Sequence, residues 1–507
     1  MVKTTKSNFQ QQCSEILFTS LPATFRDAID LLHALGIGYA WVDSLCIIQD
    51  DLEDWNREAA RMSQVYMNGL FTIAADNAPD SSYGLFLAGT QRRISIGCLY
   101  GNVHIRPVGE RQLTSAAHTL VPHRWTKATA SALSSRGWVF QERVLSNRTL
   151  HFTESEMAWE CGSELQCECE VNATPISSTS FRSGYIESQH NSSLHLRWLV
   201  AVTDFSMRSI TYPSYGLPAL AGLAAVTSNN SRGRYAAGLW SAEPQFLHGL
   251  LWMAGYIDRL EQVVPFDVLR SDRQPPCYAP SWSWASITGC VNFIGSEFDQ
   301  EQHALIMDAR VMEVDSASKG LNPYGPVSDG NVTLVGALAE VRVVGKSPDQ
   351  DPPNQIRHGM RRWEIISSGL LQDADIPAAA SWMPRNSPSP FKIGSASVLD
   401  GYHILDGAYM DVDDGVEVDM HARHYFLLIG YYDFRSDPLR GQRADFDKLN
   451  EDTSPFGLLL RRQEDGTYYR IGLVVSRLRV EGVAVWKKLA VVQSVTIYTR
   501  MCSMDIS

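Results

Sequence analysis

The sequence predicts an α/β N-terminal domain built on a parallel sheet, then a helical segment and a β-rich region. Helix and strand patterns alternate between residues 21 and 75, and helical periodicity dominates residues 194–251. From residue 303 onward, strand patterns are separated by Asp-Gly and Gly turns. At 507 residues the chain is too long for one hydrophobic core, so we expect two or three domains.

A helix–strand–helix–strand pattern carries the N-terminal prediction. Pro22 and the apolar stripe that follows it predict a helix that ends at Gly36. The nearly continuous apolar run Tyr39–Ile48 predicts a strand covered on both faces. A second amphipathic helix follows Asp51, and Leu70–Ala75 predicts another buried strand. Two strands joined by a helix imply parallel pairing with a right-handed connection.

Polar side chains interrupt the apolar pattern within and just after the first predicted strand. Asp43 and Ser44 lie inside the run, and Gln49 and Asp50 follow it. Open parallel sheets bind ligands beyond the carboxyl ends of their strands, so these four residues are candidate ligand contacts.

Asp43 also has a structural alternative. Buried carboxylates are rare unless they are paired or functional. An ion pair with Arg136 or Arg143 would hold the later helix on the sheet, and from the residues alone we favour that role for Asp43.

Four blocks closely resemble the fungal heterokaryon-incompatibility (HET) domain: LPATFRDAI, WVDSLCIIQDD, DWNREAARMSQVY and SSRGWVFQERVLSNRTLHF. They occur in the order and spacing of that family. The resemblance implies a role in non-self recognition and programmed cell death when genetically different hyphae fuse. It also implies a fold related to the Toll/interleukin-receptor (TIR) domain, a flavodoxin-like sheet that hydrolyses NAD in several lineages.

Trp55 and Glu58 resemble the TIR helix that carries the NAD-cleaving glutamate. On this resemblance Glu58 is the candidate catalytic residue, because the oxocarbenium-like transition state of sugar cleavage demands a nearby carboxylate. Trp55 would stack on nicotinamide or adenine. NAD would then be a substrate, and we expect neither a cofactor nor a metal site. The alternative is an ordinary surface glutamate on an amphipathic helix, with Trp55 as a core anchor.

The start of the sequence departs from the family pattern. A HET domain usually begins with a strand of the form aromatic-x-x-Leu-Ser-Tyr-x-Trp-Gly, which residues 1–20 do not contain. We therefore expect one of three situations: the sheet lacks its first strand, Glu15–Thr19 replaces that strand, or the sequence starts inside the domain. Two alternatives to NAD cleavage stay open, a non-catalytic module that self-associates or binds other signalling proteins, and a HET-like protein recruited to a secondary-metabolite pathway.

Composition narrows the expected partners and location. The net charge of −12 argues against binding to nucleic acid or to an anionic membrane. No apolar run approaches the roughly 18 residues of a membrane-spanning helix. Nine cysteines spread over this length fit reduced thiols, so we expect a cytoplasmic protein.

Composition shifts along the chain predict its domains. Residues 1–160 form the HET-like unit, 161–193 a surface linker, 194–300 a helical middle region and 301–507 a β-rich domain. We expect the aromatic run Tyr278–Gly289 to fold back against the helices and the first domain. The β-rich region should form an antiparallel barrel or sandwich.

Overall fold

The structure is a computed structural model. It describes residues 2–86, 94–98, 101–105, 131–153, 157–162, 164–167, 174–175, 194–228, 233–254, 278–294, 305–319, 322–346, 362–367, 404–410, 423–433, 453–475 and 491–499. The chain divides into two compact units: unit 1 is Met1–Leu194, Arg208–Ile210 and Pro218–Thr227, and unit 2 is His195–Met207, Thr211–Leu217 and Ser228–Ser507. The division into four segments predicted above stays a prediction.

Unit 1 combines helices with one mixed sheet and a separate hairpin. Its elements are α1 Phe9–Ser14, α2 Ala23–Ala34, α3 Asp43–Cys46, α4 Leu52–Asn68, β1 Thr72–Ala74, β2 Ile94–Cys98, β3 Gly101–Ile105, α5 Gly137–Leu145, β4 Arg148–Phe152, β5 Met157–Cys161, β6 Glu164–Cys167, β7 Thr174–Pro175 and α7 Pro218–Thr227. The predicted helices after Pro22 and Asp51 are confirmed as α2 and α4, and the predicted strand Leu70–Ala75 as β1.

The predicted strand Tyr39–Ile48 is wrong. Residues up to Val42 pair with no strand, and Asp43–Cys46 forms the short helix α3. Local hydrogen bonds explain the difference, because the Val42 carbonyl accepts from the backbone N–H groups of Leu45 and Cys46. Asp and Ser side chains favour such local bonding over a strand ladder.

The main sheet of unit 1 has the order β1–β4–β5–β6–β7. Strand β1 lies parallel to β4, with Ile73 opposite Leu150, and the other neighbours are antiparallel. The parallel pair therefore exists, but its second strand is β4 and not the run before α4. Strands β6 and β7 come from the predicted linker 161–193. The relation to TIR and flavodoxin folds stays a prediction.

The candidate replacement strand Glu15–Thr19 is also wrong. Residues 15–17 pair with no strand, and Phe18–Ser20 forms a turn of 3₁₀ helix. Within residues 2–71 the structure shows no strand, which agrees with a sheet that lacks a strand before β1.

Helices α4, α5 and α7 pack against one another in unit 1. Phe140, Val144 and Leu145 of α5 are completely buried. The Gly222 N–H in α7 donates to Gln141 Oε1 at 3.1 Å. A Cβ at Gly222 would come within 2.9 Å of Gln141 Oε1, so only glycine allows this approach.

Unit 2 is mostly β. Its elements are α6 Leu194–Ser206 (from His195 on), β8 Tyr235–Ala236, β9 Leu239–Trp240, α8 Gln245–Gly249, β10 Trp252–Ala254, β11 Val291–Phe293, β12 Leu305–Met307, β13 Arg310–Asp315, β14 Gly330–Lys346, β15 Arg362–Ser367, β16 Ile404–Met410, β17 His424–Asp433, β18 Thr453–Arg462, β19 Tyr468–Val475 and β20 Val491–Thr499.

Five strands of unit 2 close into a barrel in the order β14–β17–β18–β19–β20 and back to β14. The pairs are antiparallel except β19–β20, which meet in parallel at Tyr468 and Ile497. Alternate positions point to one face, and their side chains are completely buried: Val332, Leu334, Leu427, Ile429, Leu458, Leu460, Val495 and Ile497. The β-rich prediction is confirmed, and its barrel alternative is the one observed.

The run Tyr278–Gly289 folds against the helices, as predicted. Trp282 packs on Phe246 of α8 and Trp284 on Phe205 of α6. Both Trp198 and Trp284 donate through their indole N–H to the Gly238 carbonyl. The expected contact with the first domain stays a prediction.

Candidate functional site

A cluster of ionisable residues forms where the α3 segment, α4 and α5 meet in unit 1. We call Asp43, Tyr66, Arg136 and Glu142 the acidic cluster. The Tyr66 hydroxyl hydrogen-bonds to the Glu142 carboxylate, and the charges of Asp43 and Arg136 both act on Glu142. The Trp41 ring meets the Tyr66 ring edge-on at 5.9 Å. Three separate parts of the chain thus converge on Glu142.

The surroundings of Glu142 raise its pKa. Burial has the largest effect and raises the pKa, and the charge of Asp43 raises it further. The hydrogen bond from Tyr66 and the charge of Arg136 lower it, and the resulting pKa is about 7. Burial and the neighbouring Glu142 also raise the pKa of Tyr66. A carboxyl group that titrates near neutral pH is suited to general acid or base catalysis.

The α3 segment contributes an exposed acid and a buried hydroxyl. Asp43 Oδ1 accepts from the Ser44 N–H at 2.7 Å, and Asp43 itself is exposed, not buried as its apolar context implied. Ser44 is only 8% exposed, and its Oγ has no hydrogen-bond partner among the described residues. An unpaired buried hydroxyl costs about 1–3 kcal/mol, so this position favours a bound polar group.

The predicted ion pair of Asp43 with Arg136 or Arg143 is wrong. In the part of the chain that the structure describes, Asp43 makes no ion pair, and Arg143 Nε binds Glu160 Oε2 at 2.8 Å instead. Because Asp43 lies outside a strand and reaches solvent, it needs no buried partner.

Glu58 lies partly buried on α4, with its side chain 18% exposed. Its Oε1 is 3.5 Å from Arg57 Nε and 3.4 Å from Arg61 Nη1. Trp55 packs edge-on against Trp138 of α5, with ring centroids 6.2 Å apart. Glu58 is therefore neither isolated in solvent nor free of countercharge.

Gln49 and Asp50 hold the N-terminal residues. Gln49 Nε2 donates to the carbonyl groups of Asp43 and Ile47, and the Gln49 N–H donates to the Thr4 carbonyl. Asp50 Oδ1 accepts from the Lys6 N–H at 2.8 Å. Both side chains are exposed, and their observed contacts are structural.

Residues 2–142 match the family described as heterokaryon incompatibility protein (HET). The chain contains a HET domain. The match includes every member of the acidic cluster and ends at Glu142. No curated protein and no solved structure matches the chain significantly.

A second polar cluster, next to the HET domain, surrounds the buried side chain of His151 in β4. His151 Nδ1 lies 2.7 Å from Asp76 Oδ2, and His151 Nε2 lies 3.0 Å from Glu160 Oε2. Arg143 binds the same Glu160 oxygen, and Ser131 Oγ donates to Asp76 Oδ1 at 2.7 Å. Both ring nitrogens of His151 are occupied by carboxylates, so neither is available as a catalytic base. We name this group the buried histidine cluster.

In the described residues, no group of three or more His, Cys, Asp or Glu side chains is arranged to hold a metal ion. No helix in the described ranges is long and apolar enough to cross a membrane.

Sequence reasoning missed Tyr66 and the buried histidine cluster. Tyr66 looks like an ordinary member of an apolar helix stripe, and its hydroxyl becomes informative only beside Glu142. His151 and Glu160 do carry a signal, because both are polar residues inside short apolar strands. The partner Asp76 lies 75 residues before His151 in the sequence, so the signal could not be assigned.

Proposed function

We propose that this protein acts in fungal heterokaryon incompatibility, the non-self recognition that ends in programmed cell death. The HET domain match supports this assignment. In this proposal the HET domain is the effector, and the regions after it sense or regulate. A cytoplasmic location fits the proposal and stays a prediction.

The proposed effector chemistry is hydrolysis of the N-glycosidic bond of NAD. The bond between ribose C1′ and the nicotinamide nitrogen breaks, and nicotinamide leaves with the bonding electrons as a neutral molecule. Water then attacks C1′ and gives up a proton, which yields ADP-ribose. The chemistry needs a carboxylate near the developing ribosyl cation and a base near the water.

The observation that carries the proposal is Glu142, a carboxyl group with a pKa of about 7 inside the HET domain. Glu142 is the proposed base that accepts the proton of water. Glu58 remains the proposed stabiliser of the ribosyl cation, and Arg57 and Arg61 beside it suit the diphosphate of NAD. Ser44 and Asp43 are proposed contacts to ribose hydroxyl groups, and Trp55 to an aromatic base of NAD.

The experiment measures nicotinamide release from NAD by the purified full chain. Glu142→Gln should lower the rate about 100-fold or more, because removing a general base typically costs 10²–10⁴-fold. Glu58→Ala should abolish release. Glu53→Gln is the matched control, since Glu53 is an exposed acid on the same helix α4, and it should leave the rate unchanged.

The pH dependence of the rate separates base catalysis from a structural effect. The wild-type rate should rise with pH through about 7 as Glu142 loses its proton, and the residual rate of Glu142→Gln should not show this rise. A wild-type chain that is folded but releases no nicotinamide contradicts the chemistry and leaves the HET assignment intact. If Glu58→Ala releases nicotinamide at the full rate, Glu58 is not part of the catalytic site.

A further inference from the structure

A short segment from outside the family match lies against the start of helix α5 in unit 1. The HET match ends at Glu142, yet Arg208–Ile210 belongs to the same compact unit. Arg136 and Ser209 form an isolated parallel β-bridge, which brings this segment to the residues where α5 begins. The helix that carries Glu142 is therefore held by a part of the chain that the family match does not include.

Two backbone hydrogen bonds join Ser209 to the start of α5. The Ser209 N–H donates to the Ser135 carbonyl at 2.7 Å, and the Gly137 N–H donates to the Ser209 carbonyl at 2.8 Å. The first N–H groups of a helix have no partner within it, and among the described residues no side chain caps α5 at Arg136. The Ser209 carbonyl therefore supplies the acceptor that the first residue of α5 needs, and the two bonds enclose Arg136.

Arg208 holds the same helix through its side chain. Its guanidinium donates through Nη1 to the Ser134 carbonyl and lies over the Phe140 ring, 5.1 Å from the ring centre. Arg208 is 8% exposed, and Phe140 is completely buried. A buried guanidinium that bonds a carbonyl group and stacks on a ring has little freedom to move. Since Phe140 lies on α5 within one turn of Glu142, these contacts fix the place of Glu142.

The position of Arg136 matters to Glu142, because the Arg136 charge acts on that carboxyl group. Burial and the Asp43 charge raise the pKa of Glu142, whereas the hydrogen bond from Tyr66 and the Arg136 charge lower it. Helix α7, which also packs on α5, contains no ionisable side chain. A start of α5 released from Ser209 would withdraw a positive charge from Glu142, so the pKa of Glu142 would rise.

We propose that Arg208 and Ser209 are positioning residues of the HET site, which hold the start of α5 so that Arg136 and Glu142 keep their relative places. The inference rests on the proposed function, in which Glu142 is the base. It adds a requirement that the family match does not contain, because residues after Glu142 complete the site. A chain that keeps the whole acidic cluster should therefore still lose activity through a change at Arg208 or Ser209.

The titration of Glu142 in the full chain tests the proposal. Infrared difference spectra, each taken against the same chain with Glu142→Gln, follow the Glu142 carboxyl group through its midpoint at about 7. Ser209→Pro removes the N–H that binds Ser135 and changes no charge, and Ser209 is exposed, which leaves room for the ring. The midpoint should move to higher pH. Ser209→Ala keeps both backbone bonds and should titrate like the wild type.

Arg208→Lys is a second variant, which decides the question if the proline prevents folding. It keeps the charge but loses the planar contact with Phe140, so the midpoint should again move to higher pH. Arg148→Lys is the matched control, because Arg148 is an exposed arginine of unit 1 that also donates to a backbone carbonyl. Circular dichroism confirms the fold of each chain, and a lower stability alone does not move the midpoint of the folded protein.

Nicotinamide release provides a second measurement. In Ser209→Pro the rate should fall about threefold or more at acidic pH and recover as the pH rises, because a raised pKa leaves less Glu142 ionised at acidic pH. A purely structural defect would lower the rate equally at every pH.

The midpoints decide the outcome. If neither folded variant moves the Glu142 midpoint to higher pH, the proposal is overturned. An equal move in Ser209→Ala or Arg148→Lys has the same consequence, since the titration then responds to any change in unit 1. A wild type that titrates at about 7 but releases no nicotinamide contradicts the NAD chemistry alone, and the variants still show whether Arg208 and Ser209 position Glu142.

Discussion

At the scale of single residues, the geometry around His151 determines its protonation. Asp76 and Glu160 place carboxylate oxygens 2.7 and 3.0 Å from its two ring nitrogens. A neutral imidazole has one N–H and can satisfy only one of these oxygens, whereas the imidazolium ion donates to both. Burial alone would lower the pKa of His151, but the bonds to Asp76 and Glu160 outweigh it and raise the pKa.

The buried histidine cluster should make the stability of the HET-containing unit depend on pH. Because the folded pKa of His151 is raised, its contribution is complete below the ordinary value near 6.5 and is lost as the pH rises through the folded value. Hydrogen exchange of the amides of β4 and β5, corrected for the intrinsic rate, should therefore show protection that falls with rising pH.

A His151→Gln variant provides the control for this prediction. It carries no titrating ring, so its protection should change little with pH in that window, although its overall stability is lower. Protection that falls equally in the variant contradicts the role of His151.

At acidic pH the stability depends on Glu160. Burial tends to raise the pKa of Glu160, but Arg143 and His151 beside it lower the pKa to about 2. Stability from Glu160 is thus present above its ordinary value of 4.5 and is lost only as the pH falls toward 2.

At the scale of elements, the contact of α7 with α5 depends on the absence of a side chain at Gly222. A Cβ there would lie 2.9 Å from Gln141 Oε1 and from Ser63 Cβ, and 3.1 Å from Leu145 Cδ1. These neighbours come from two other helices and are packed, so they cannot all withdraw.

Gly222→Ala should destabilise unit 1 by about 1–3 kcal/mol, the usual cost of overpacking, although alanine is the better helix former by about 1 kcal/mol. Denaturant unfolding followed by hydrogen exchange in α5 and α7 measures the effect. Gly38→Ala is the control because its Cβ would enter open space, and it should change the stability by less than about 0.5 kcal/mol. A neutral Gly222→Ala would show that the three helices can separate at no cost.

Elements with a long, regular apolar period were predictable from the sequence. Helices α2 and α4 and strands β14 and β17 follow directly from spacing. The segment around Asp43 was not predictable in this way, because a short apolar run fits both a strand and a buried turn. In the structure, the hydrogen bonds to the Val42 carbonyl stabilise the turn. Similarly, Glu142 was visible as a polar residue on α5, but its raised pKa depends on Tyr66 and Asp43, which only the fold brings near.

At the scale of the whole molecule, unit 2 buries a charged guanidinium group. Arg470 of β19 is completely buried. Its guanidinium donates to the carbonyl groups of Leu250 and Trp252 at 2.5 Å each and lies 3.7 Å from the centre of the Trp252 ring. The planar group thus connects a barrel strand to the chain around β10 inside unit 2.

Arg470→Lys should destabilise unit 2 by about 2–4 kcal/mol, because an ammonium cannot bond both carbonyl groups and also stack as a plane. Denaturant unfolding of the full chain, followed by tryptophan fluorescence, measures the effect. Arg462→Lys, at an exposed position of β18, is the matched control and should stay within about 0.5 kcal/mol of the wild type. Equal stability of the two variants would refute the bridging role.

For the whole chain, the sequence predicts only the order of the structural classes along it. The order α/β, helical, β-rich agrees with the observed elements, but the return of α7 to unit 1 was not visible in its composition. The sequence Ala219–Val226 is apolar all round, and such a helix packs wherever a matching groove exists. The stretches Ser347–Asn354 and Pro377–Pro390, rich in Pro, Ser and Asp or Ala, predict long loops, and both lie outside the described residues.

Strand β14 is bonded to four other strands, β13, β15, β17 and β20. Synthesis on the ribosome proceeds from the N-terminus at about 5–20 residues per second, so β14 emerges on the order of ten seconds before β20. During that interval the backbone groups of β14 that later pair with β20 are unpaired and accessible to other nascent chains. Premature termination before Val491 would make this vulnerability permanent, and we expect such products to aggregate and require chaperones.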